Sequence, residues 1–364
     1  MKKKPNILVC PLDWGIGHAT RCIPIINELI HQDVNVFIGA DNLPYTLLKK
    51  EFPQLQFVRF PGYKFAYPGN DKMAIKMAKQ VPGILSGIKS ENQFLKNLIQ
   101  KLDIDAVISD NRFGLYNDKI PCIFLTHQIT IKVPSFLKIL EPILYKLNKR
   151  YISKYDECWI PDWEDGFTLS GDLSHKKSIM ANTYFIAPLS RFGKQIKENK
   201  EQNYKYEFAV IISGPEPQRS IFEEAVLKQV KHINKHGVVV LGKPGFKDQE
   251  NKFNENITIY SHLGSYELEK LIIDSKTIIC RPGFSSIMDL VALGKQAVFI
   301  PTPGQTEQEY LAEYYFKEGL FLRMFQQNFD IDMALKQVDD YVGLQRKYDS
   351  KLLKERIQSL ISKL

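Results

Sequence analysis

Cys280-Arg-Pro-Gly-Phe-Ser-Ser-Ile-Met-Asp-Leu-Val-Ala-Leu-Gly294, followed by Ala297-Val-Phe-Ile-Pro301, decides the fold of this chain. An apolar run from Thr277 to Cys280 ends at Pro282-Gly283, and a polar turn then opens a helix. Its apolar positions include Ile287, Leu290, Val291 and Leu293, and Gly294 stops it just before the strand Ala297 to Ile300. A strand–turn–helix–strand unit with glycine at the turn aims free N–H groups and a positive helix end at one point, which suits phosphate. Gly283, Phe284, Ser285 and Ser286 make up that turn and helix start. Asp289 interrupts the apolar face about one turn in, where a carboxylate can take both hydroxyls of a ribose. The pattern reads as a nucleotide-sugar site.

The same plan recurs on either side. Downstream, Pro301-Thr-Pro-Gly-Gln-Thr-Glu-Gln-Glu-Tyr310 places Gln305, Gln308 and Glu309 on a glycine turn and the helix start after it, near Glu307 to Phe316. Amides and carboxylates suit sugar hydroxyls, which need donors and acceptors together. Upstream, the strand Phe208 to Ile212 leads into Ser213-Gly-Pro-Glu-Pro-Gln-Arg219 and a helix to Ile233. Pro215 and Pro217 lack N–H groups, so Gly214, Glu216 and Gln218 remain as backbone donors, and Arg219 adds a charge that can pair with a diphosphate. Further strands are expected at Val238 to Leu241 and Ile257 to Tyr260, and helices at Ser265 to Ile273, Ile331 to Tyr341 and Leu344 to Leu364.

The N-terminal half repeats the scheme without repeating the sequence. Asn6 to Cys10 reads as a buried strand, Asp13-Trp-Gly-Ile-Gly-His18 as a glycine turn, Ala19 to Ile30 as a helix, and Val34 to Ile38 as a strand. That is a βαβ unit, which implies a parallel sheet. Strands follow at Leu55 to Phe60, Asp105 to Ser109, Pro121 to Leu125 and Tyr155 to Ile160, the last expected to close the half. Gly17 and His18 lie beyond the carboxyl end of the first strand, where open α/β sheets bind ligands. A histidine opening a helix there is placed to accept a proton. Asp110 ends another strand and can orient His18 or act as a base itself; a turn or helix-capping role reads equally from its position. His127 and Gln128 follow the next strand and, with Tyr63, are expected on the acceptor side.

Composition sets the limits. The 364 residues are 44% hydrophobic and 25% charged, enough for two packed domains, with a net charge of +8. Residues 1–187 read as an N-terminal acceptor domain, 188–206 as a charged linker, 207–344 as a donor domain, and 345–364 as a helix that can pack back on the first domain. Two doubly wound α/β domains facing across a cleft are expected. Charge alone permits nucleic acid, but an anionic sugar nucleotide, an anionic membrane surface or an ordinary basic surface explains the same excess, and no nucleic-acid partner is expected. Five separated cysteines with no CxxC pair argue for a reducing compartment, no disulfides and no metal site. No run approaches the roughly 18 apolar residues of a spanning helix, and a cytoplasmic protein is expected. Phe60 to Tyr67 and Val133 to Arg150 mix aromatics, leucines and lysines in a way that suits a peripheral membrane face.

Arg281 to Gly294, then Ile300 to Tyr310, resembles the donor-binding signature of GT-B glycosyltransferases, above all the MurG-like group of glycosyltransferase family 28. Gly15-Ile-Gly-His-Ala-Thr-Arg21 is similar to that group's N-terminal histidine-containing turn. The resemblance implies two Rossmann-like domains, with the donor held mainly by the second. It places Asp289 on the ribose, Gln308 and Glu309 on the donor sugar, His18 at the catalytic centre, and the backbone near Leu263 at the base. It implies metal-independent transfer of a hexose or N-acetylhexosamine from a UDP-sugar to a hydroxyl, with no cofactor beyond that substrate. A lipid-linked or cell-envelope precursor is among the acceptors it implies. Asp289 is one methylene shorter than the group's usual glutamate, and Glu309 stands where a second amide is common. A nucleotide-sugar epimerase and a non-catalytic binding protein are the alternatives on the same fold.

Overall fold

The computed structural model of the chain describes residues 3–62, 73–177, 180–192, 203–243, 250–344, 346 and 349–364. Two compact units divide it, Met1–Leu189 with Asp349–Leu364, and Ser190–Tyr348.

In the first unit the strands are β1 (Asn6–Cys10), β2 (Asn35–Ala40), β3 (Gln56–Arg59), β4 (Ala106–Asp110), β5 (Cys122–Leu125), β6 (Glu157–Ile160) and β7 (Thr183–Phe185). They form one sheet in the order β3-β2-β1-β4-β5-β6-β7, every pair parallel. Unbroken apolar strands explain this, because a parallel sheet is covered on both faces; Ile7, Leu8, Val9 and Cys10 are all fully buried. Helices α1 (Gly17–His31), α2 (Asn42–Glu51), α3 (Met73–Leu102), α4 (Glu141–Ile152) and the short α5 (Asp172–His175) connect them. β6 does not close the unit as the sequence suggested. The three-residue β7, with all three residues half-buried, adds beyond it and carries no apolar run to announce it.

The second unit holds β8 (Tyr206–Ile211), β9 (Gly237–Val240), β10 (Glu250–Lys252), β11 (Ile257–Tyr260), β12 (Ser275–Cys280), β13 (Ala297–Phe299) and β14 (Leu322–Arg323). Their order is β10-β11-β9-β8-β12-β13-β14; β10 alone runs antiparallel to its neighbour. Its helices are α6 (Gln218–Val230), α7 (Ser265–Asp274), α8 (Phe284–Ala292), α9 (Thr306–Lys317) and α10 (Ile331–Gln337). The helix expected to reach Tyr341 ends instead at Gln337, where a 3-10 turn, Val338–Asp340, takes over. The last helix, α11 (Lys351–Ile361), starts later than its apolar pattern suggested and is part of the first unit. Its Leu353, Ile357 and Leu360 are buried, and Arg356 and Lys363 reach Glu157 of β6 at 2.8 and 2.6 Å.

In each sheet the strand order reverses at one point, between β1 and β4 and between β8 and β12. Loops diverge there and leave a crevice at the carboxyl ends of the strands.

Candidate active site

At the reversal point of the first unit, α1 starts at Gly17, just beyond β1, and β4 ends at Asp110. Gly15 makes the entry with φ of +82°, a left-handed turn that favours glycine. His18 Nδ1 then lies 3.0 Å from Asp110 Oδ2. Asp110 is fully buried, whereas the His18 side chain keeps 17% of its surface open. The arginine one helical turn on, Arg21, is 2% exposed and completes the group. Its Nε donates to Asp110 Oδ2 at 2.8 Å, its Nη2 to Asp110 Oδ1, and its Nη1 to His127 Nδ1 at 2.9 Å. Arg21 Nη2 also lies 2.8 Å from His18 Nδ1.

Burial alone would push the Asp110 carboxyl up. The Arg21 guanidinium and His18 overcome it and hold that carboxyl below the usual range, so it stays charged. An arginine only donates, so His127 Nδ1 must accept and its proton sits on Nε2. Asn148 of α4 fixes this loop by donating to the Gln128 and Ile129 carbonyls at 2.8 and 2.9 Å. The structure thus joins His18, Asp110, His127 and Gln128, and adds Arg21, which sequence reasoning passed over. Its signal was a charged residue on the inner face of a helix beside Ala19, Cys22 and Ile23. Tyr63 lies outside the described residues.

In the second unit several of the side chains expected at the donor make contacts within the chain. Asp289 is buried at 5% exposure and its carboxylate is already engaged. Ser190 Oγ donates to Oδ1 at 2.7 Å and Arg191 Nε to Oδ2 at 3.2 Å. Burial raises its pKa, with Arg191 and Ser190 acting in the opposite sense. Asp289 therefore anchors the 190–192 segment. Arg219 is likewise committed. It donates to Glu216 Oε1 at 2.6 Å, Glu223 Oε2 at 2.5 Å and the Leu241 carbonyl at 3.2 Å, and Glu216 Oε2 accepts from Ser220 N at the start of α6. The diphosphate partner expected there has its own anions. Gln308 and Glu309 brace their turn, accepting from Thr302 N and Gly304 N at 2.8 Å each. Gln308 is buried, and Gln305 caps α9 half-buried.

Gly283 caps α8, Phe284 is buried behind it, and Ser285 and Ser286 are half-buried in its first turn. Leu263 sits half-buried ahead of α7. Arg281, at 1% exposure, ties neighbouring turns together. Its Nη1 donates to the Ile300 and Pro301 carbonyls at 2.9 and 3.1 Å, its Nη2 to the Gln218 carbonyl at 3.3 Å and to Gln326 Oε1. Its guanidinium stacks over Phe222 at 4.3 Å. Among the described residues no group of three or more His, Cys, Asp or Glu side chains is arranged to hold a metal ion.

Comparison with known proteins agrees with this layout. The glycosyltransferase family 28 C-terminal domain matches residues 209–360. An uncharacterized glycosyltransferase of Methanosarcina mazei is 23% identical, with 99% of this chain and 95% of that protein aligned. The UDP-N-acetylglucosamine–N-acetylmuramyl-(pentapeptide) pyrophosphoryl-undecaprenol N-acetylglucosamine transferase of Bacillus pumilus is also 23% identical, over 93% of this chain and 92% of its own. Among solved structures, the glycotransferase of kitacinnamycin aligns with a TM-score of 0.61 at 13% identity, covering 100% of this chain and 95% of that one. MurG of Acinetobacter baumannii aligns at 0.55 and 12%, covering 99% and 100%. At such identities the structural likeness speaks for the fold, two parallel-sheet α/β units of the GT-B kind. The sequence relatives and the matched domain make this chain a glycosyltransferase that is similar to the MurG-like proteins and carries the family 28 C-terminal domain over residues 209–360.

Proposed function

We propose that the enzyme moves a hexose or N-acetylhexosamine from a UDP-activated donor to a hydroxyl of a lipid-linked acceptor, with His18 as general base and no cofactor. The observation that carries this reading is the His18–Asp110–Arg21 group at the reversal point of the first sheet. To act as base, His18 carries its proton on Nδ1 toward Asp110 Oδ2, the Arg21 guanidinium then spending its Nε and Nη2 donors on Asp110 and not on that nitrogen, and presents the Nε2 lone pair to an acceptor hydroxyl. As Nε2 takes the hydroxyl proton the ring becomes an imidazolium, and the buried, charged Asp110 stabilises it. Arg21 keeps Asp110 ionised and in place. His127, fixed as an Nε2–H donor, can hold the acceptor's oxygen nearby.

The choice of donor and acceptor follows relatives whose names specify UDP-N-acetylglucosamine and a pyrophosphoryl-undecaprenol acceptor. A surface of this chain supports a lipid-linked acceptor. Phe136 and Ile139 are 71% and 84% exposed, with Leu140, Ile143 and Leu147 also open, and Lys138, Lys146, Lys149 and Arg150 are exposed on the same 135–152 segment. Apolar side chains interleaved with cations suit the headgroup region of an anionic membrane. No helix among the described residues is long and apolar enough to cross a membrane.

The test is transfer of labelled sugar from a panel of UDP-sugars to prenyl-diphosphate glycans. His18→Ala should reduce transfer by roughly 10²–10⁴-fold while leaving UDP binding intact. Isomerised sugar nucleotide without acceptor, or full transfer by His18→Ala, would sink the reading.

A further inference from the structure

Beyond β6 the chain runs through residues 161–171 into α5, and four side chains there are linked in a row. Asp162 is fully buried and accepts from the backbone N–H groups of Trp163, Leu169 and Ser170 at 2.8 Å each, and from the Ser170 hydroxyl. Ser170 Oγ meets Ser174 Oγ, and Ser174 Oγ lies 3.0 Å from His175 Nδ1. His175 Nε2 lies 3.0 Å from the Trp163 carbonyl, and its ring stacks on Phe185 of β7 at 4.8 Å. Both serines are buried.

These partners fix the number of hydrogens. A carbonyl only accepts, so His175 Nε2 carries one. The row Asp162–Ser170–Ser174–His175 has three links and needs three more, of which the two hydroxyls supply two. The third sits on the Asp162 carboxyl or on His175 Nδ1, because the remaining partners of Asp162 are N–H groups that only donate. In either place it is a dissociable proton. The row is complete with it and one link short without it, and a buried link without its hydrogen sets lone pair against lone pair. Burial raises the Asp162 pKa, which favours keeping that proton. The other charged groups around the row are paired or exposed. Asp172 pairs with Lys132 at 2.9 Å and Lys176 at 3.2 Å, Glu157 of β6 with Arg356 and Lys363, Lys177 lies over the Tyr145 ring, and Glu164 and Asp165 are exposed.

Two bonds join this region to the loop after β5. Thr130 N donates to the Leu173 carbonyl at 2.7 Å, and Lys132 Nζ to Asp172 Oδ2 at 2.9 Å. Asp172 and Leu173 directly precede Ser174, and Thr130 closely follows His127 and Gln128. We propose that Asp162, Ser170, Ser174 and His175 form a pH-sensitive latch, closed by one shared proton, that holds the His127–Gln128 loop in place and releases it as pH rises. Its bearing on transfer rests on the acceptor role given to that loop above; the latch itself does not.

Amide exchange of the full chain, read as the protection factor at Thr130, tests the latch between about pH 5 and pH 8. Protection in the wild type should fall roughly ten- to a hundredfold across that range. Ser174→Ala cuts the row and leaves the N–H groups around Asp162 in place, so protection should be low at both ends and the slope gone. His175→Asn puts an amide N–H where the Nδ1 hydrogen would stand. Its protection should stay high at both ends, and it decides the question if Ser174→Ala does not fold. A flat wild-type profile, or the wild-type slope retained in either variant, would overturn the latch. The KM for a prenyl-diphosphate glycan should climb with pH in the wild type and not in His175→Asn, with the KM for the UDP-sugar the same in both. An acceptor KM with one pH profile in both proteins, while protection differs between them, would overturn the control of transfer and with it the acceptor role of the loop.

Discussion

Replacing Arg21 with methionine removes the guanidinium between Asp110, His18 and His127 while keeping much of its apolar bulk. Both members of the ion pair are buried, Arg21 at 2% and Asp110 at 0%, so the carboxylate would be left in a dry site without its counter-charge. Breaking such a pair from one side costs about 3–5 kcal/mol. At roughly 2–4 °C per kcal/mol for a unit of this length, the melting temperature of the first unit should fall by roughly 6–20 °C. The pH dependence should also reverse. In the wild type the folded-state pKa of Asp110 lies below its unfolded value, so its stabilisation is fully present above the ordinary carboxylate range and is lost only as pH falls through the lowered value. In Arg21→Met, burial outweighs what His18 offsets and the pKa rises. The variant should then be most stable in acid and weaken as pH climbs past about 4. Adding Asp110→Asn to Arg21→Met should recover part of the loss, because an amide needs no counter-charge. Urea unfolding between pH 4 and pH 8 tests all three points. A loss under about 1 kcal/mol, or an unchanged pH profile, would refute the idea that Arg21 neutralises Asp110.

Asp289 has the opposite linkage, since burial raises its folded-state pKa. Its contribution is full at low pH and declines as pH rises from the unfolded carboxylate value through the raised one. Asp289→Asn should flatten that slope in urea titrations, and an identical slope would count against the burial argument. Phe136→Glu combined with Ile139→Glu should abolish salt-sensitive sedimentation with anionic vesicles and leave the melting temperature unchanged, because both side chains are exposed. Arg356→Ala should loosen α11 in hydrogen-exchange measurements, by about 1–2 kcal/mol, since Arg356 holds the buried Glu157 and stacks over Tyr184 at 3.7 Å; protection equal to wild type would refute that anchoring role.

What could be read from the sequence was mostly what local rules control. Apolar strands ending in glycine turns announced both parallel sheets. The meeting of His18 with Asp110 followed from each standing at the carboxyl end of a strand, once β1 and β4 proved to be neighbours. Arg219 and Glu223 stand four apart on α6, a spacing at which opposite charges pair, and the expectation of a diphosphate contact overlooked it. Other features depended on long-range partners. Ser190 and Arg191 reach Asp289 from about a hundred positions away, so no local pattern could reveal that the carboxylate was occupied. Arg21 and Arg281 were overlooked because charged residues are expected in water, whereas each is buried by turns distant in sequence. The three-residue β7 has a pairing partner but no pattern of its own.

The chain passes from one unit to the other twice, after Leu189 and again before Asp349, so only the second unit is a single continuous segment. An expression fragment spanning 190–348 would contain every strand of its sheet. A fragment ending at 189 would lack the amphipathic cylinder carrying Leu353, Ile357 and Leu360, and would expose the greasy groove those side chains line in the intact protein. Splitting this enzyme into halves for separate study therefore requires grafting the final sixteen residues back onto the amino-terminal piece, by a short tether or by circular permutation.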